Sequence, residues 1–241
     1  MVLYGQLLSY ATYSSNYNPC HDGCGEIMKI ALIGYGKMGK MVKKHATKRG
    51  YDIVACFTHP NTSFSQVKNA DVCIDFTTPS AVIETIKKLS PFKKPIVIGT
   101  TGWDVEAIKP YAKEMGILYA PNFSLGIALF TRLLKKTYKL LSPYYESSGV
   151  EIHHKEKRDI PSGTALNLSA HVPGLKFRSV RMGSQVGSHQ VIFNGDDDLI
   201  ELTHRAKNRE GFAKGALDAA KWLIGKKGLY NFDDVIEEML K

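Results

Sequence analysis

The stretch KIALIGYGKMGKMVKKHATKRGYDIVACF, residues 29–57, constrains the fold more than any other. A short apolar run ends in glycine, a segment of helical character follows, and a second β-branched apolar run comes after it. DVCIDF, KPIVIG and GILYA repeat the apolar run further on, separated by PSAVIETIKKL and DVEAIKPYAKEMG, which read as helices. Short continuous apolar strands alternating with amphipathic helices predict a parallel sheet covered on both faces. Right-handed crossovers then gather the strand C-termini on one edge, where such sheets bind ligands.

Three loops of the predicted edge carry chemistry. GYGKMG places Gly34, Tyr35, Gly36, Lys37, Met38 and Gly39 in a G-x-G-x-x-G turn between a strand and a helix. That context fits a dinucleotide: glycines let the backbone approach a pyrophosphate, and the helix N-terminus offers N–H groups and positive potential. No GK[ST] follows, which excludes a Walker A loop. DFTTPS contributes Phe76 and Thr77 at a second strand end, and GTTGW contributes Gly99, Thr100 and Thr101 at a third. Each reads equally well as plain turn chemistry or as a contact to the nicotinamide end of a cofactor. An acid that would bind the ribose 2′-hydroxyl belongs at the end of the second strand, about 20 residues past the turn. Here that strand ends Cys56-Phe57-Thr58-His59, and Asp52 lies at its wrong end. Thr58 and His59, with Lys37 nearby, tolerate a 2′-phosphate, so NADPH is expected to serve at least as well as NADH.

The rhythm changes near Asn122. LGIALFTRLLKKTYKLL, residues 125–141, reads as one long amphipathic helix. GVEIHHK, FRSVRMG, SHQVIFNG and LIELTHRA read as strands of a second, mixed or antiparallel sheet, with GDDD as a turn and the last three as a meander. REGFAKGALDAAKWLIG, residues 209–225, forms a further helix, and LYNFDDVIEEML adds a short one. The expected organisation is α/β: a Rossmann-like parallel-sheet domain over residues 28–122, completed by 209–241, with an α+β substrate and oligomerisation domain inserted at 123–208. Residues 1–27 lack Lys and Arg and read as a dispensable extension.

Composition narrows the partners. The 241 residues are 44% hydrophobic and carry a net charge of +9. No long Lys/Arg run, aromatic-basic RNA motif or zinc-finger spacing accompanies that excess, so small anions are favoured over nucleic acid. No stretch is long enough for a transmembrane helix. Cys56 and Cys73 lie in apolar runs and read as buried strand thiols, which points to a reducing, cytoplasmic setting. Cys20 and Cys24 in CHDGC read either as metal ligands or, in preference, as loop cysteines of the extension.

EIHHKEKRDIPSGTAL, residues 151–166, concentrates protonatable nitrogen ahead of a helix start. His153 and His154 are neighbours on a strand and point to opposite faces, which gives them different roles. Lys157 follows on a loop. Ser162 or Thr164 fits a helix N-cap, and the amides of Gly163 and Thr164 suit a carboxylate. No further ligands at a suitable spacing are evident, which disfavours a metal. A solvated basic loop with a helix cap is an equally good reading of this segment on its own.

The segment resembles the dihydrodipicolinate reductase signature, E-x-H-H-x-x-K-x-D-x-P-S-G-T-A, matched throughout by Glu151–Ala165. GYGKMG, DFTTP, VIGTTGW, APNFSLG and ELTHRA extend the resemblance over residues 28–241. It implies reduction of a dihydrodipicolinate ring in diaminopimelate and lysine biosynthesis, with NADPH or NADH. It also implies a homotetramer, His153 as acid/base and Lys157 as proton donor. His154, Ser162, Gly163 and Thr164 match substrate contacts. Gly34–Gly39, Gly99–Thr101 and the run Ala120, Pro121, Asn122, Phe123 match cofactor contacts. HVPGLK, residues 171–176, is shorter than the corresponding segment of many relatives, and residues 1–27 have no counterpart.

Overall fold

The computed structural model describes residues 27–58 and 63–241. The CHDGC pair and His59 lie outside the described residues.

Six strands form the first sheet: β1 (Lys29–Ile33), β2 (Asp52–Phe57), β3 (Val72–Asp75), β4 (Ile96–Ile98), β5 (Gly116–Tyr119) and, from the far end of the chain, β10 (Gly228–Tyr230). The order is β10-β5-β4-β3-β1-β2, and every pairing is parallel. Alternation along β1 explains the two-faced covering. Ile30 and Leu32 pack on one side with Val42 and Ala46 of α1 (Lys37–Lys48) and with Ala216, Leu217 and Ala220 of α6 (Glu210–Leu223). Ala31 and Ile33 pack on the other with Val82, Ile86 and Leu89 of α2 (Pro79–Leu89). Full burial of each Val, Leu or Ile side chain here contributes about 1.5–3 kcal/mol.

Three details of this half differ from the sequence reading. The segment 104–116 holds only a 3₁₀ turn, Glu106–Ile108, and the four-residue α3 (Lys109–Ala112). Pro110 lacks an N–H to continue a longer helix. LYNFDDVIEEML divides into β10 and α7 (Phe232–Met239), which Asn231 starts with a capping box. Cys73 is buried, but Cys56 is exposed, because it lies near the open end of the outermost strand β2.

A second, four-stranded sheet comprises β6 (Glu146–His153), β7 (Phe177–Arg181), β8 (Gly187–Asn194) and β9 (Leu199–Ala206). The order β7-β6-β8-β9 is mixed: β6–β7 is parallel, β6–β8 and β8–β9 antiparallel. The expected meander therefore holds for β8 and β9 only. β7 returns to the outer edge of β6, because the chain between them forms α5 (Gly163–Ala170) and crosses over before re-entering. α4 (Leu125–Leu141) packs Phe130 and Leu134 against Val191 and Phe193 of β8 and Leu168 of α5.

Candidate active site

The sheet order reverses at β1, whose neighbours are β2 and β3, so the crevice for a ligand opens beyond the ends of β1 and β3. The glycine turn occupies that position. Gly34 has φ +87°, and its N–H donates to Phe57 O at 2.9 Å, which ties the turn to the end of β2. A side chain on Gly34 would collide with the Phe76 carbonyl, and one on Gly39 with the Gly34 carbonyl. Gly36, the α1 N-cap, has nothing near the place a Cβ would fill, and no side chain caps this helix. No acid stands in its first turn either, so the leading N–H groups remain free for an anion. Tyr35 lies beneath the ammonium groups of Lys40 and Lys43, 5.9 and 5.5 Å from its ring centre.

The next two loops are held by one buried carboxylate. Asp75, at the end of β3, accepts from Thr100 Oγ1 at 2.8 Å, Thr77 Oγ1 at 2.9 Å and Thr77 N at 3.0 Å. Burial raises its pKa and these hydrogen bonds oppose the rise. The hydroxyls of Thr77 and Thr100 are thus spent on Asp75 and shape the turns rather than face a ligand. Phe76 lies over Gly99, where a Cβ would strike its ring.

Two adjoining cavities, about 660 and 620 Å³, make a continuous cleft, with Pro121, Asn122, Arg209 and Phe212 lining both. The first is bounded by Lys37, Met38, Phe76, Gly99 and Phe123. The second is bounded by Thr101 and Ala120 on one side and by His153, His154 and Lys157 on the other. Ser162, Gly163 and Thr164 close its floor. Asn122 links the loop after β5 to α5: its amide donates to Thr164 Oγ1 at 3.1 Å and its oxygen accepts from Ser124 N at 2.8 Å. Gly34, Tyr35, Gly36, Gly39, Thr58, Thr77 and Thr100 line neither cavity.

The second wall is built from side chains. Strand alternation separates the histidines: His153, the last residue of β6, is buried, and His154 is half exposed. Burial lowers the His153 pKa, and Glu151 partly counters the effect. Lys157 holds Asp159 through both carboxylate oxygens, at 2.7 and 2.8 Å. Ser162 caps α5 by accepting from Ala165 N at 3.1 Å. The Asp159 carboxyl is held low: burial raises it, but Lys157 and the amides of Asp159 and Gly163 more than offset this. A carboxylate of the chain itself therefore already rests on the cation expected to donate a proton and on the Gly163 amide expected to grip a substrate.

Several participants escape a linear reading. Glu151, His153 and His189 bring ligand atoms within 4.8 Å of one another, a grouping of possible metal ligands that sequence spacing did not make evident. The Arg181 guanidinium donates to Glu151 Oε1 at 3.0 Å, and the Ser162 hydroxyl lies 3.2 Å from His189 Nε2. Glu151 Oε1 is committed to this hydrogen-bond network, while Glu151 Oε2 and the Nδ1 atoms of His153 and His189 have no hydrogen-bond partner. Arg209, just before α6, reaches His154 Nε2 at 3.5 Å. Its position at the start of the helix read over residues 209–225 was the available signal. For Arg181 and His189, 30 and 38 residues after Glu151, local spacing carried none.

A glycine turn at the switch point of a parallel sheet, facing two histidines and a lysine across a shared cleft, is the arrangement of an oxidoreductase of the nicotinamide-dinucleotide class. Residues 28–123 match the family profile "Dihydrodipicolinate reductase, N-terminus", and residues 126–236 match "Dihydrodipicolinate reductase, C-terminus". The chain belongs to the dihydrodipicolinate reductase family. It is 33% identical to the 4-hydroxy-tetrahydrodipicolinate reductase of Buchnera aphidicola subsp. Schizaphis graminum, over 88% of this chain and 98% of that one. Identity to the Ralstonia pickettii enzyme of the same name is 37%, over 70% and 75% of the respective chains. The dipicolinate-bound dihydrodipicolinate reductase of Paenisporosarcina sp. TG-14 shares the fold, with TM-score 0.72 at 24% identity over 86% of this chain and 98% of that one. An engineered D-amino acid dehydrogenase bound to NADP+ is similar in fold, with TM-score 0.54 at 14% identity over 90% and 96%. Among the described residues no helix is long and apolar enough to cross a membrane.

Proposed function

We propose that this chain reduces the 4-hydroxy-tetrahydrodipicolinate ring system to tetrahydrodipicolinate in lysine and diaminopimelate biosynthesis, with His153 and Lys157 handling the proton. The observation that carries this reading is the continuous cleft from the uncapped α1 N-terminus to the Lys157–Gly163 carboxylate cradle. The substrate is a dicarboxylate, and the cradle already holds the Asp159 carboxylate. The free N–H groups and the open space at Gly36 suit a dinucleotide pyrophosphate, with Lys37 beside it. When bound, the nicotinamide supplies the hydride. Loss of the 4-hydroxyl as water gives a conjugated imine; hydride addition to it would leave an electron-rich enamine, and Lys157 donates the proton that quenches it. His153, its pKa lowered by burial, acts as the acid/base that returns a proton to the Lys157 amine, and His154 with the Gly163 and Thr164 amides orients the carboxylates.

Lys40 and Lys43 beside Tyr35, with no acid at the end of β2, support use of NADPH at least as well as NADH. Leu199 and Ile200, exposed on the edge strand β9, support assembly through the second sheet into a homotetramer. The test is oxidation of NADPH and NADH, followed by nicotinamide absorbance, with freshly made dihydrodipicolinate synthase product. Turnover with kcat/KM for NADPH equal to or above that for NADH is expected. Tight NADPH binding without turnover would overturn the reading and favour a nucleotide-sensing protein.

A further inference from the structure

Beneath the proton-handling wall lies a carboxylate with no assigned task. Glu151 is fully buried in the middle of the second sheet, two residues before His153 on β6. Its Oε1 accepts from Ser179 Oγ at 2.6 Å, from Ser162 N at 3.0 Å and from Arg181 at 3.0 Å. Arg181 donates as well to the Asp159 carbonyl at 2.7 Å and the Lys157 carbonyl at 3.3 Å. One anion therefore reaches all three parts of the wall: the Ser162 turn directly, the Lys157–Asp159 loop through Arg181, and His153 along its own strand.

The second oxygen decides what this arrangement does. Oε2 has no hydrogen-bond partner, yet it is sealed from solvent and lies 3.5 Å from His153 Nδ1 and 3.6 Å from His189 Nε2. His153 Nδ1 is likewise buried and unpartnered. An orphaned buried acceptor beside an orphaned ring nitrogen is costly unless a proton stands between them. On the opposite edge of the ring, Nε2 abuts Gly187, where a Cβ would come within 2.8 Å of it. The imidazole is thus bracketed by a carboxylate on its Nδ1 side and a bare backbone on its Nε2 side.

We propose that Glu151 is the positioning residue of this site: its Oε2 holds His153 in the Nδ1–H tautomer, leaving Nε2 as the proton acceptor in the cleft, while its Oε1 sets the Ser162 turn and the Lys157 loop. The alternative is a strut that merely neutralises Arg181. A strut accounts for the three donors on Oε1 but not for an unpaired Oε2 aimed between two imidazoles. Two hydrogen-bonded serines and an arginine keep the carboxylate ionised despite its burial, so it can orient a ring proton without taking it. The groups that face His153 are Glu151 on its own strand, Lys157 and Asp159 on the following loop, Arg181 on β7 and His189 on β8.

The inference deepens the reductase reading, and its test has a readout that needs no substrate. Imidazole ¹⁵N shifts of His153 in the full-length wild-type chain at neutral pH should mark the Nδ1–H tautomer; an Nε2–H tautomer would overturn the proposal. In Glu151→Gln the tautomer should change. The acid limb of the pH–rate profile should move to lower pH, because the charge that raises the His153 pKa is gone. kcat should fall roughly tenfold or more, part of the ~10²–10⁴-fold worth of acid–base catalysis. KM for NADPH should change by less than about twofold, since Glu151 does not touch the dinucleotide half. A folded Glu151→Gln enzyme with an unchanged tautomer and pH profile would reduce Glu151 to a strut. If that variant does not fold, the wild-type tautomer alone decides. Wild-type protein with the Nδ1–H tautomer but no turnover would refute the reductase reading and leave the Glu151 assignment standing.

Discussion

The two walls of the cleft are made in opposite ways. On the side proposed for the dinucleotide, the groups on offer are backbone: the free N–H groups of α1 and turns whose side chains are absent, as at Gly34 and Gly39, or committed elsewhere, as at Thr77 and Thr100. On the facing side the working groups are side chains from β6, β7, β8 and the loop before α5, locked by Glu151. A backbone site is broken by adding atoms and a side-chain site by removing them. Titration, too, is concentrated in the second wall.

The largest expected effect tests the side-chain wall. Lys157→Ala should lower kcat by ~10²–10⁴-fold, the range for a lost proton donor. His154→Ala should act mainly on KM, as loss of uniform binding does. Steady-state kinetics on both variants checks the division, and a near-native Lys157→Ala rate would remove that residue from the mechanism.

Acid stability tests where the titration sits. His189 is buried and its pKa is lowered from 6.5 to about 4, by burial first and by the neighbouring His153 next. The unfolded chain therefore takes up a proton near pH 6.5 while the folded chain refuses it until about pH 4. The resulting stability is fully present above 6.5 and lost on acidification toward 4, on the order of 3 kcal/mol in total. Glu151 adds a loss at lower pH: held at about 2 against 4.5, it stabilises fully above 4.5 and ceases to as pH falls through 2. Denaturant titrations at stepped pH should show both windows, and His189→Gln should flatten the upper one.

The smallest effect tests the backbone wall. Gly34→Ala forces a side chain into positive φ against the Phe76 carbonyl, at a cost of about 1–3 kcal/mol. Thermal unfolding should register the loss, and a fluorescence titration should show weakened NADPH binding with the wild-type pH dependence of stability preserved. A Gly34→Ala variant with native NADPH affinity would break the contrast between the walls.

The sequence was most readable where structure is local. The alternation in KIALI sends Ile30 and Leu32 to one face and Ala31 and Ile33 to the other, and the residues 125–141 periodicity delimits α4. GYGKMG and PSGT announce helix starts through nearest-neighbour chemistry, and the structure has α1 and α5 beginning there. Cys56 was misplaced because a strand's burial depends on its place in the sheet, and β2 is outermost. β7 was misassigned because FRSVRMG pairs as readily with one neighbour as another until α5 fixes where the chain returns.

By itself the sequence determined the parallel-sheet class, the glycine turn and the motif carrying His153, Lys157 and the Ser162 cap, because each rests on residues a few positions apart. The tertiary structure alone decided what surrounds them. Arg181 and His189 come from different strands to meet Glu151, Asn122 reaches Thr164 across the cleft, and Thr77 and Thr100 turn inward to Asp75. The physical reason is that a buried charge must be satisfied by whatever groups the packing delivers to it, and that packing joins strands distant in the chain.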